Sequence, residues 1–112
     1  MKEKMLQYID NHIAYCQHER IRLQKEFRND EAAHQQIAMN VYGIFRSIYQ
    51  AMQYDMGNTL QRFSKIVEEW DQQHQQAAAH EDRMKALIEE IKISRALELI
   101  AHAKEMECIQ ND

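Results

Sequence analysis

Apolar residues return along this chain every three or four positions, in four successive stretches. In the first, Leu6, Ile9, Ile13, Cys16, Leu23 and Phe27 keep an unslipped a/d seam, with Arg20 as its one polar member. In the second, Ile37, Val41, Ile44, Ile48 and Ala51 alternate steps of four and three, and Ala38, Phe45 and Met52 broaden the stripe. The third reads Leu60, Phe63, Val67, Trp70, His74 and Ala77. The fourth carries two stripes: Met84, Leu87, Ile88 and Ile91, then an offset set of Ile93, Leu97, Ile100 and Ala103. This period belongs to amphipathic helices, and stripes this wide suit a bundle core better than a two-stranded coiled coil.

The breaks set the expected bounds at about 2–27, 31–54, 59–78 and 82–108. Arg28-Asn29-Asp30 supplies the first turn, with Asn29 or Asp30 as cap. Met56-Gly57-Asn58 supplies the second: Gly57 can take the left-handed conformation, and Asn58 can cap the third helix with Gln61 as its capping-box partner. After Thr59 there is neither Gly nor Pro, so the last break, near 79–82, rests on length. An unbroken helix from there to the end would need a second chain to cover it. Short turns make neighbouring helices antiparallel. The expected fold is therefore all-α, an antiparallel up-down bundle of three to four long helices in one domain spanning 1–112, and dimeric. Gly43, inside the second helix, costs about 1 kcal/mol relative to alanine. The close approach of a neighbouring helix or a large side chain is the expected compensation.

Composition agrees with helices throughout, with no proline and two glycines in 112 residues. Hydrophobic residues at 45% and charged residues at 29% place the chain among globular proteins rather than disordered ones. A formal net charge of -4 argues against nucleic acid, which needs a surplus of Lys and Arg on one surface. The basic run Arg20, Arg22, Lys25 and Arg28 is interleaved with Glu19 and Glu26, and reads as the C-terminal turns of a helix. No apolar run reaches the length of a membrane span. Charges cut the opening segment MKEKMLQYIDNH, so no export signal is expected. Cys16 and Cys108 then read as reduced thiols of a cytoplasmic protein.

Candidate chemistry is sparse. Glu31-x-x-His34 and Asp71-x-x-His74 place a carboxylate and an imidazole on one helix face each, the spacing used in di-metal bundles. Antiparallel pairing about Gly57 sets the two histidines at different heights, however, and helix one offers no inward carboxylate. A polar core layer of Arg20, His74 and Glu90, with Glu89 as the alternative acid, is the favoured reading, serving register rather than catalysis. His12, His18, His80 and His102 lie off the seams and are expected in solvent.

Tyr8 and Tyr15, and Tyr42 and Tyr49, are each seven apart and point away from the seams, making two rows suited to a partner surface. Ile93, Leu97 and Ile100 are the candidate dimer interface, since a helix apolar on two faces is covered on both. No Gly-rich phosphate loop, CxxC or HExxH occurs, and Cys16 on an apolar seam is a poor nucleophile. The sequence thus points to a non-enzymatic protein–protein interaction module, self-associating and open to another protein, without cofactor. A metal or redox bundle built on Glu31, His34, Asp71 and His74 is the alternative.

Overall fold

The computed structural model describes residues 1–111. It consists of α1 (Lys2–Lys25), α2 (Asn29–Ala51), α3 (Met56–Ala79) and α4 (Arg83–Asn111), with no strand among the described residues. The chain does turn between α3 and α4, and among the described residues no helix is long and apolar enough to cross a membrane.

All three turns are built alike and without glycine. Phe27 (φ 61°), Gln53 (φ 54°) followed by Tyr54 (φ 63°), and Glu81 (φ 58°) are left-handed. Behind each, an N–H reaches back to close the helix end: Arg28 to Leu23 O, Tyr54 to Tyr49 O, and Asp82 to Ala77 O, each at 2.8 Å. Gly57 is not the left-handed residue expected there; it lies in the first turn of α3. Nor does Asn58 cap α3. Asp55 does so, its Oδ1 accepting the Asn58 N–H at 2.9 Å. Asp82 does the same for α4, accepting the Lys85 N–H at 3.1 Å. Neither Asn29 nor Asp30 caps α2, because both are already inside it.

Packing fixes the register of each antiparallel pair. Arg46 Nε donates to Asp10 Oδ1 at 2.9 Å across α1–α2. The Phe45 and Phe63 rings meet edge-on at 5.0 Å across α2–α3. Lys92 Nζ lies 5.5 Å over the Trp70 ring across α3–α4. Tyr8 stacks on His102 at 3.7 Å, bringing α1 against α4. The direction alternates helix by helix, and α2 packs against the other three.

The expected seam of α2 holds at Val41 and Ile48, with Ala38 and Phe45 beside them, but the core face is centred further round the helix. Ala38, Tyr42, Phe45 and Tyr49 are fully enclosed, whereas Ile44 is 38% exposed and Ala51 is exposed. Tyr42 and Tyr49 are therefore core residues and no partner surface. Their rings carry more apolar area than the aliphatic positions beside them, and Phe45 leads the same stripe onto Phe63. In α4 the inward seam is Glu89, Ala96, Leu99 and Ala103, of which Ala103 alone belongs to a stripe expected for that helix. Its alanines let neighbouring backbones approach, which leaves Met84, Leu87 and Leu97 outside. Phe27, expected on the α1 seam, is 89% exposed, because the left-handed turn swings it off the helix.

Candidate functional site

On the α2 face between α1 and α3, Ile48 is buried and Met39 half-buried against the core, so Ile44 and the open position of Gly43 are what stay uncovered. This face floors a shallow groove between α1 and α3 of about 820 Å³. Met39 and Ile48 lie at the two ends of this floor, with Asn40 and Ser47 between them and its centre. Ile13 of α1 and Ile66 of α3 form the walls, and Arg62 stands on the α3 rim. The Asp10–Arg46 and Phe45–Phe63 registers put Ile13 and Ile66 at the height of Gly43.

Gly43 has neither a positive φ nor a close neighbour: a Cβ built on it meets nothing within 4 Å. The compensating contact expected for it is thus missing within the chain. From sequence Ile13, Ile44 and Ile48 read as core and not as a surface, although two signals were present there: a glycine inside a helix, and a stripe wider than one core face.

The tyrosine rows divide. Tyr15 is 62% exposed, while Tyr8 is half-buried between His102 and His12, whose Nδ1–H donates to the Tyr8 carbonyl at 2.9 Å. His12 and His102 are accordingly half-buried members of this aromatic cluster rather than solvated. The Tyr42 ring completes it, 5.1 Å from His12. Burial raises the pKa of Tyr42, opposed by the charge and hydrogen-bonding reach of Arg95, although its Oη makes no hydrogen bond of full geometry among the described residues. Burial likewise raises Tyr8, helped by the Glu98 charge, and Tyr49, helped by Tyr54. Cys16, buried beneath the cluster, has its thiol pushed up by desolvation, with Arg95 pulling the other way. That combination suits packing and not attack.

The polar layer is distributed differently from expectation. Glu89, 5% exposed, enters the core and accepts from Lys92 Nζ at 3.2 Å, whereas Glu90 faces a cleft between α2 and α4. The Asp10–Arg46 register sets Arg20 near Gln35, below the expected height of Met39. Arg20 Nε, Gln35 Oε1 and Glu89 Oε2 are all buried without a partner among the described residues. His74 is half-buried on α3 at the height of Glu89, by the Trp70–Lys92 register.

The paired acid-x-x-His units do not converge. Glu31 is exposed and bound to Arg28, which holds its carboxyl below the usual range, and Asp71 accepts from Gln75 at 2.9 Å. The Phe45–Phe63 register sets His34 level with His74 rather than at the different height expected, but His34 lines the α2–α4 cleft and His74 is not among the residues lining it. No group of three or more His, Cys, Asp or Glu side chains among the described residues is placed to hold a metal. In the proposed dimer stripe Leu97 is 55% exposed, while Ile93 and Ile100 are half-buried.

Comparison with known proteins gives no matching family model, no matching sequence among curated proteins and no matching solved structure.

Proposed function

We propose that this chain is a non-enzymatic protein–protein interaction module, a small regulatory or assembly protein of one helical domain, docking through the groove between α1 and α3. One observation supports this above the others: a helix-weakening glycine stands on an open face bordered by isoleucines. Inside an isolated chain alanine would serve better there, by about 1 kcal/mol. A glycine is favoured where another backbone comes close, and exposed apolar surface flanked by polar residues is the usual mark of such a site. The groove is open rather than enclosed, and its floor is largely aliphatic, which suits a helix better than a small polar substrate. The two unpaired thiols support a reducing, cytoplasmic setting.

A photo-crosslinking residue at exposed Ser47, compared with one at Leu97, tests the reading in the cells that make the protein. Discrete protein adducts from Ser47 are expected. Adducts from Leu97 alone would move the contact to the α4 stripe, and the groove would lose its role.

A further inference from the structure

Resting on that reading, we infer that the occupant of the groove is a second copy of this chain, with the two α2 helices packed antiparallel across a two-fold axis between Gly43 and Ile44. The face is close to self-complementary under that operation. An axis at this point pairs half-buried Met39 with the rim of the partner's Ile48, itself largely buried, both apolar. It pairs Asn40 with the partner's Ser47, both exposed, small and polar. Most tellingly, it pairs Gly43 with the partner's Ile44: a position without a side chain receives one that projects from its own helix. In a two-fold interface every such pairing occurs twice.

The flanking helices obey the same axis. Ile13 and Ile66 lie level with it, so each meets its own counterpart. On α3, Arg62, Ile66 and Glu69 share one face, with Arg62 on one side of the axis and Glu69 on the other. The operation brings Arg62 to the partner's Glu69, and opposite charges meet twice. Neither residue enters an ion pair within the chain among the described residues. Asn40 has its Oδ1 occupied by Gln36 Nε2 at 2.9 Å, leaving its amide hydrogens for the partner's Ser47 hydroxyl. A standard interface removes about 800 Å² from each partner. That is about a tenth of the 7416 Å² exposed here, within reach of a three-helix face. A foreign helix could fill the groove, but nothing would then require the pattern to repeat in reverse about Gly43.

Sedimentation equilibrium on the full chain and its variants tests this. The expected species has twice the 13.4 kDa chain mass. Gly43→Leu adds its side chain where a Cβ meets nothing, so helicity by circular dichroism is expected to hold while dimer affinity falls about tenfold or more. Arg62→Glu is expected to weaken the dimer, and the exchange Arg62→Glu with Glu69→Arg to restore it. A 13.4 kDa species at high micromolar concentration overturns the inference. A dimer indifferent to both Gly43→Leu and Arg62→Glu also does so. The crosslinking arm separates the two readings. A monomer whose Ser47 captures a different protein overturns the second copy while keeping the docking groove, and a Ser47 that captures nothing overturns both.

Discussion

Tyr42 is enclosed to its hydroxyl, whose oxygen makes no hydrogen bond of full geometry among the described residues, although the Arg95 guanidinium lies near enough to favour its ionised form. A buried hydroxyl without a partner costs about 1–3 kcal/mol, so the ring contributes through area and the oxygen opposes it. Tyr42→Phe is therefore expected to leave stability unchanged or raise it by about 1 kcal/mol, read as the urea midpoint at constant slope. A loss above about 1 kcal/mol would show that the oxygen is bonded after all.

The same burial sets a pH limit. Tyr8, Tyr42 and Tyr49 all have raised pKa values, chiefly through desolvation. Their neutral forms are favoured in the fold, so this stability is whole below their ordinary value of about 10 and is lost as pH rises through the folded values. Cys16, raised for the same reason, starts the decline somewhat earlier. Alkaline titration should show tyrosinate absorbance appearing together with loss of helix. Ionisation of all five tyrosines in a chain still fully helical would contradict it. None of this was legible from the tyrosine spacing. Residues seven apart share a face, but only the neighbouring helix decides whether that face is inside.

At the scale of the element, helix number and direction were legible because period and turn length are local properties. The turns were less so. Left-handed Phe27, Gln53 and Glu81 are not glycines, so their positions carry no compositional mark. Asp55 and Asn58 are near-equal capping types three residues apart, and sequence alone favoured the wrong one. Asp55→Ala should cost about 1 kcal/mol by thermal or urea unfolding. Asn58→Ala is expected to cost little, since Asn58 supplies only its backbone N–H to the cap. The reverse order would reassign the cap.

The seam of α2 was only partly legible for a related reason: Val41 and Ile48 are buried as expected, Ile44 and Ala51 are not. Two stripes one residue apart, one through Ile44 and one through Phe45, are both apolar. The choice between them rests on Phe63, which sequence alone does not place beside either. In α4 the choice fell to small residues, Ala96 and Ala103, which weigh little in a hydrophobic pattern yet permit the closest packing.

At the scale of the whole molecule, the uncovered Ile44 of α2 and the half-buried glycine beside it are one fact. A helix with more apolar surface than its neighbours cover has been left facing outward at the point where it has no side chain. The candidate surface was thus half legible: the surplus stripe showed in the pattern, but its location required the register of α1 and α3. The α4 surplus at Leu97 is more scattered, with Ile93 and Ile100 half-buried beside it, and offers less continuous area.

The most direct measurement is an isotope-filtered nuclear Overhauser experiment on an equal mixture of labelled and unlabelled chains. Cross-chain contacts are expected between the α-protons of Gly43 and the methyl groups of Ile44, with Ile13 and Ile66 each contacting their own counterparts. Cross-chain contacts confined to Leu97 and its neighbours on α4, or none in a sample concentrated enough to detect weak dimers, would contradict it.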